Sequence, residues 1–506
     1  ISGRHAPELV DGMLRNQWTT CSGFCSLDYQ LDEGIILAKL GLTLVALGDA
    51  QKAIEHYEQA LTIAKKVGDK KNEGRWYGNL GGAYAALSNA RKAIEFRKKA
   101  LEVFREIKYR QGEGYQLGKI GNVYLGWGNT SIALEYFKKA LNIALEVGNR
   151  EEEANQLGKI GNIWSVLGDN NKAIDFYQKA LSVSQRSGNR NEEEIQLGNL
   201  GAAYAALGAE THALKFFKQS LAIAQEIGDQ KGEGNQLGNL GNAYVNLGNA
   251  DEAVLYYEQA LAIAQKIGER RSEAERLSNL GNINFYYLGE IEKCFEFYNQ
   301  ALLIRRDIGD RRGESAELAN YGYALMEKGS FDEAIDCFIS AISIADDIKR
   351  PQTQKIARSG LAEAYLIQSD LVKARTIIET ALQYDVPQFN HTTLTLQGIV
   401  TLRQGDERTA QQAFEKAIKL SDEILAKVPG SYSALDAKEL ALCGSALCLT
   451  SKENKTKSGK IIFKAQNISL HAGAVKRALR LFGEIKKSDS LGILGQVHNT
   501  ISRITK

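Results

Sequence analysis

Proline is scarce in this chain, four among 506 residues, and polar breaks are short. With 44% hydrophobic residues, that excludes long proline-rich linkers and extended disorder. Cysteine is sparse and scattered, at 21, 25, 294, 337, 443 and 448, which excludes a disulfide-built scaffold and leads to the expectation of reduced thiols in a cytoplasmic protein. Cys21 and Cys25 stand near His5 but lack a second ligand pair, so no metal is expected. The six histidines are scattered and no carboxylate pair recurs with a His or Ser, so no catalytic residue is assigned and an enzyme is not expected. Charge of one sign is also lacking: the net charge is +2 with both signs interleaved, so no field recruits nucleic acid or an acidic membrane. The apolar run Gly34 to Gly48 is broken by Lys39 and reads as a core helix, not a membrane span. No nucleotide phrase is complete: Gly232-Glu233-Gly234 follows no strand and is expected between helices, and Ser458-Gly459-Lys460-Ile461 lacks the upstream glycine of a phosphate loop. No cofactor is therefore expected.

Glycine is abundant, and its placement is periodic. Gly41, Gly81, Gly121, Gly161, Gly201, Gly241 and Gly281 recur every 40 residues, each in a phrase such as Leu240-Gly241-Asn242-Ala243-Tyr244. Within one period, Leu237, Leu240, Gly241 and Tyr244, then Ala253, Tyr257 and Ala260, have helical spacing on either side of a break at Gly248. Gly248 and Gly268 suit left-handed helix ends, and Asn249 with Glu252 offers a reciprocal cap. Such helices are too short to bury an apolar face alone, so neighbouring pairs must stack. The expected fold is all-α, an α-solenoid. Glycine inside a helix costs about 1 kcal/mol relative to alanine, so a recurrent one calls for a helix crossing that leaves no room for a side chain.

These residues resemble the tetratricopeptide repeat, with its large apolar residue, Leu, Gly, Tyr, then Ala, an aromatic and Ala. The Tyr place holds Tyr84, Tyr124, Tyr204 and Tyr244; the aromatic place Tyr57, Phe137, Tyr177, Phe217 and Tyr257; the first Ala place runs from Ala53 to Ala253. The resemblance implies a right-handed superhelix that binds a protein or extended peptide. The commonest repeat has about 34 residues and a closing proline, both absent here. Arg97 stands at the aromatic place of the second repeat, where it either weakens the core or turns outward. One extra residue enters near Phe285 to Tyr287 and shifts the next match to Gly322, Ala334, Phe338 and Ala341. The pattern decays past Pro351 and leaves only a trace around Leu440 to Cys448. The expected organisation is an N-terminal segment over 1–30, a regular array over 31–350, divergent repeats over 351–430, and a degenerate repeat with capping helices over 431–506. The first pair is unusually apolar, with Ile35, Ile36, Leu42 and Val45, so its end is expected to need a cover from a helix over Pro7 to Trp18 or from an upstream domain.

Asparagine supplies the functional signal. Two places before the repeated glycine lie Asn79, Asn199, Asn239, Asn279 and, after the shift, Asn320; one place after it lie Asn122, Asn162, Asn242 and Asn282. The two places are three apart and share a helix face. In tetratricopeptide arrays that face lines the concave groove, and an amide both donates and accepts, so a ladder of them suits the main chain of an extended peptide. The other reading is that these amides bridge repeats or cap turns; read as groove groups, they would support no core. Ser278-Asn279-Leu280-Gly281-Asn282 is similar to the groove phrase of animal spindle-orientation adaptors of the Pins type. Chaperone-binding arrays place a carboxylate-clamping lysine three before the glycine, where this chain has Ala38, Gly78, Gly118, Gly158, Gly198, Gly238 and Ser278, so that clamp is not expected. Lys119 and Lys159, two before the glycine, add local positive charge.

In the tail, Ala472, Val475, Ala478, Leu479 and Leu481, then Leu491, Leu494 and Val497, predict two further helices. Together with the phrase from Leu440 to Cys448, they are similar to the ends of repeat regions in bacterial STAND-class signalling ATPases. That resemblance implies a sensor arm attached to an upstream nucleotide-binding domain, which this chain does not contain. The expected function is a non-enzymatic protein- or peptide-binding module; the alternatives are a freestanding scaffold and, from a different class, an enzyme sited in the atypical C-terminal part.

Overall fold

A computed structural model describes residues 27–427, 431–448, 472–489 and 494. His5, Cys21, Cys25, the helix expected over Pro7 to Trp18, the loop Ser451 to Lys460 and most of the second tail helix lie outside the described residues. Those described form twenty-two α-helices and one π turn, with no strand. The chain divides into two compact units, Ile1–Ile223 and Ala224–Lys506.

The first unit runs α1 (Leu27–Ala46), α2 (Ala50–Val67), α3 (Lys70–Ala86), α4 (Ala90–Glu106), α5 (Arg110–Gly126), α6 (Thr130–Val147), α7 (Arg150–Val166), α8 (Asn170–Ser187) and α9 (Arg190–Ala206), and takes in most of α10 (Glu210–Ile227). The second holds α11 (Gln230–Asn246), α12 (Ala250–Ile267), α13 (Arg270–Ile283), α14 (Ile291–Asp307), α15 (Arg311–Lys328), α16 (Phe331–Asp347), α17 (Pro351–Ile367), α18 (Leu371–Ala381), α19 (Pro387–Arg403), α20 (Glu407–Lys427), α21 (Tyr432–Cys448) and α22 (Ala472–Lys486). Within each unit successive helices pack as pairs, and pairs stack on their neighbours, which makes an α-solenoid.

Capping explains the sharp helix starts. The side chains of Asp49, Asn89, Asn129 and Asp169 accept the backbone N–H three residues on, at 3.1 to 3.2 Å, filling an otherwise orphaned donor. Asn249 departs from expectation: it holds the cap position of α12 but makes no side-chain cap hydrogen bond. Gly232-Glu233-Gly234 also departs, lying in the first turns of α11 and not between helices. Gly248 and Gly268 are left-handed as expected, at φ 76° and 69°. Ser88, Lys108, Lys349 and Ser369 are also left-handed, at φ 52 to 63°, without glycine's freedom.

The repeated glycines lie at helix crossings. A Cβ on Gly121 would sit 2.5 Å from the Phe137 ring, and Gly161, Gly201, Gly241 and Gly281 face the rings of Tyr177, Phe217, Tyr257 and Tyr298 in the same way. At the second repeat the partner is Arg97, which corrects the outward alternative: it is buried, its Cγ would be 2.7 Å from a Cβ on Gly81, and its Nη1 donates to Gln116 at 3.2 Å. Burial lowers its pKa to about 10. The extra residue near Phe285 is absorbed as a π turn, Asn284–Leu288, continuing α13. Past it the crossings resume, Gly322 against Phe338 and Gly398 against Phe414, with Gly360 and Gly444 of the following pairs pressing on the same two rings.

Candidate functional site

The first helix of each pair carries the asparagine rows. In the first unit, Asn79, Lys119, Lys159 and Asn199 are half-buried, and Asn122 and Asn162 are exposed. In the second, Asn239, Asn279, Asn282 and Asn320 are half-buried and Asn242 is exposed.

The place after the glycine is tied to its own repeat. Tyr177 Oη donates to Asn162 Oδ1 at 2.7 Å, Tyr257 to Asn242 at 2.5 Å, and Tyr298 to Asn282 at 2.7 Å. The tyrosines are those of the aromatic place, so each bond joins the two helices of one pair. These amides therefore do support the core, contrary to the sequence expectation, and the joint lies within repeats instead of between them. The bond fixes the amide orientation and uses only the carbonyl; the Nδ2 donors of all three make no hydrogen bond among the described residues. In the repeat of Asn122 the aromatic place holds Phe137, which has no hydroxyl to donate. Among the preceding places, Asn239 Nδ2 donates to Gln236 Oε1 at 3.2 Å.

Lys119 and Lys159 each lie near an aromatic ring. Lys119 Nζ lies 5.0 Å from the Tyr115 ring and Lys159 Nζ 5.7 Å from that of Phe137. Burial lowers the Lys159 pKa, Lys119 adds to the lowering, and Glu152 and Glu192 oppose it.

The bridge between repeats is a different row, which the motif reading passed over. Gln116, Gln156 and Gln196 are 0 to 4% exposed. Each amide reaches the glycine three before the crossing of the preceding repeat, where a Cβ on Gly78, Gly118 or Gly158 would lie 2.3 to 2.7 Å from its Nε2. In the second unit Arg276 takes this place against Gly238, and Glu317 accepts from Ser278. The recurrence of Gln-Leu-Gly at 40 residues is the signal that could have found it.

The C-terminal helix α22 lies on the first-helix wall of the second unit. Arg477 and Arg480 pair with Glu363 of α17 at 2.7 and 3.2 Å, Arg480 also with Glu327 of α15 at 3.1 Å and with the Met326 carbonyl at 3.0 Å, and Arg403 of α19 pairs with Glu484. Glu363 is fully buried; burial alone would raise its pKa, and the two guanidiniums overcome that and hold it below the usual carboxylate range. The first of the two expected tail helices is thus present and docked; of the stretch expected to form the second, only Leu494 is described, buried and in a turn.

A solenoid of paired helices with aromatic rings set into recurrent glycines defines a helical-repeat binding protein by class. A family model described as tetratricopeptide repeat matches residues 32–106, 152–226 and 234–312, and a second of the same description matches 117–146 and 318–348. The chain belongs to the tetratricopeptide repeat family. No curated protein matches it. Among solved structures it is similar to a signal transduction ATPase with numerous domains (STAND) carrying a tetratricopeptide repeat sensor, from Pyrococcus horikoshii, at 17% identity and a TM-score of 0.51. That likeness covers 69% of this chain and 52% of the other, so this chain spans about half the length of that one. It is also similar to the apo form of the quorum sensor NprR from B. thuringiensis, at 15% identity and a TM-score of 0.50 over 67% of this chain and 92% of that one. At these identities the likeness shows a shared fold. None of the described helices is long and apolar enough to cross a membrane.

Proposed function

We propose that this chain is a non-enzymatic module that binds an extended peptide segment of a partner protein along its first-helix walls. The observation that carries the reading is the state of Asn162, Asn242 and Asn282: each amide is held in place by a tyrosine hydroxyl and keeps its Nδ2 donors unspent. Pre-oriented donors cost less to order on binding than free side chains. Main-chain carbonyls of an extended segment are the acceptors that such a ladder fits.

The test is a pull-down from the source cell, comparing the native chain with one in which Asn239 and Asn279 are alanine, followed by identification of what is lost. These two are chosen because neither serves as acceptor for a tyrosine hydroxyl. With about 0.5 to 1.5 kcal/mol net for each lost hydrogen bond, binding should weaken by about 1 to 3 kcal/mol. Unchanged affinity in the doubly substituted chain removes Asn239 and Asn279 from the site, and unchanged affinity per folded molecule when Asn162, Asn242 and Asn282 are alanine as well overturns the assignment.

We further place the module as the sensor arm of a larger signalling ATPase in the cytoplasm. The resemblance of the tail and the fold shared with a repeat sensor support this. So does the state of Cys294, Cys443 and Cys448, free thiols pushed by burial up to about 12. The full-length polypeptide should then carry an upstream phosphate loop, and its nucleotide hydrolysis should respond to the partner. A full-length polypeptide without that domain leaves the module as a freestanding scaffold.

A further inference from the structure

A concavity of about 500 Å³ opens on the first-helix wall of the second unit, where the N-terminal turns of α13, α15 and α17 lie in succession. Four arginines line it: Arg271, Arg305, Arg312 and Arg350. Arg305 is already neutralised, at 3.0 Å from Asp310 and 3.3 Å from Glu317. Arg271, Arg312 and Arg350 enter no ion pair among the described residues. Apart from Asp310, the only acid in the lining is Glu275.

Two further observations mark the charge of Arg312 and Arg350 as uncompensated. Arg350 Nε is out of solvent contact and has no hydrogen-bond partner, a costly state for a guanidinium donor. Arg312 and Arg350 line the same space, and burial lowers the Arg350 pKa, with the like charge of Arg312 lowering it further. The start of α17 adds to the field. Asp310 and Glu269 cap α15 and α13, but Arg350 caps α17 with no side-chain bond, Pro351 has no N–H, and Gln352 and Thr353 of that first turn line the concavity. The positive end of the helix dipole thus faces the same space. Asn320 stands in the lining too.

We propose that this concavity binds the side-chain carboxylates of an acidic, extended peptide segment of a partner protein. Arg312 and Arg350 hold one carboxylate, Arg271 holds a second, and Asn320 bonds the main chain between them. Guanidinium forks match carboxylates in geometry as well as charge. Arg271 comes from the helix pair before that of Arg312 and supplies a second cation in the same lining, which a lone phosphate or terminal carboxylate held by Arg312 and Arg350 would leave unmet. The inference rests on the peptide-binding reading and names the chemistry of the peptide.

The test uses the full chain and a fluorescein-labelled decapeptide carrying four Asp or Glu residues, read by anisotropy at two salt concentrations. A second peptide has Asn and Gln at those four positions. The acidic peptide should bind at least about tenfold more tightly than its amide counterpart, the loss of one charge-assisted hydrogen bond or more. Its affinity should fall with salt. The R312Q/R350Q chain should lose about tenfold for the acidic peptide alone. R408Q, a change in the same sense at an exposed arginine of α20, should lose nothing. Thermal melts establish that both chains fold. Acidic-peptide affinity unchanged in R312Q/R350Q, displacement by millimolar inorganic phosphate, or no binding of the acidic peptide each overturns the inference. If both peptides bind equally and both are lost when Asn239 and Asn279 become alanine, the acidic chemistry falls and the peptide-binding reading stands.

Discussion

At the scale of single residues, the molecule turns on where a side chain is missing. Gly121→Ala would put a methyl 2.5 Å from an aromatic ring buried in the helix crossing, and overpacking of that kind costs about 1 to 3 kcal/mol. Gly118→Ala would meet the amide end of the buried Gln156 side chain at 2.7 Å, which can turn aside more cheaply than a ring, and alanine recovers up to about 1 kcal/mol of helix propensity, so its stability should stay within about 1 kcal/mol of native. Urea denaturation midpoints compare the two directly. Ser88→Gly and Lys108→Gly should raise stability, by up to about 1 kcal/mol each, by relieving left-handed backbone that a side chain disfavours. Asn242→Ala and Tyr257→Phe each remove one end of the same bond and should cost about 1 kcal/mol singly; a double-mutant cycle should show them non-additive. The sequence made the glycine row legible because a recurrent helical glycine demands a packing cause. The glutamine row was not legible in the same way. An amide reads as surface, and the slot that buries Gln116 is Gly78, in the preceding repeat and beyond the reach of local periodicity.

At the scale of elements, the helix pairs and their breaks follow from spacing, turn glycines and caps, and the inserted residue was legible as a shift of register. Its form was not. A π turn keeps the backbone bonded while carrying one extra residue, so the repeats after Leu288 regain their phase without a loop. Nor did periodicity reveal that α22 folds back onto helices more than one hundred residues earlier, because long-range docking leaves no local pattern. Its contact with Glu363 should depend on pH. Glu363 is held below its unfolded value, so the stability it contributes is complete above the ordinary glutamate pKa of about 4.3 and is lost as pH falls below it. Amide exchange in α22, corrected for intrinsic rate, should accelerate on acidification toward pH 3. In Glu363→Gln that acceleration should already be present at neutral pH; full protection there would show that the ion pairs do not hold the helix.

At the scale of the molecule, the asparagine faces could be read as rows but their state could not. Whether an amide is spent depends on a tyrosine 15 or 16 residues further on, in the other helix of the pair. The cationic concavity was still less visible: its three unpaired arginines are ordinary surface residues in sequence and meet only because pairs stack. In the first unit, where each pair touches its neighbours, stability should grow stepwise with length, and fragments of three, four and five pairs starting at Leu27 should show rising urea midpoints. The second unit should behave otherwise. The bond between Arg480 and Glu327 joins residues 153 apart, and that of Arg477 to Glu363 residues 114 apart. An open stack can fray from its last pair inward, one layer at a time. Here α22 acts as a clasp that turns the stretch after Glu327 into a closed circuit, so the terminal layers cannot peel away in sequence. Under tension from the C-terminus the load falls first on those buried ion pairs, and once they part, the layers they enclosed lose their shared support together.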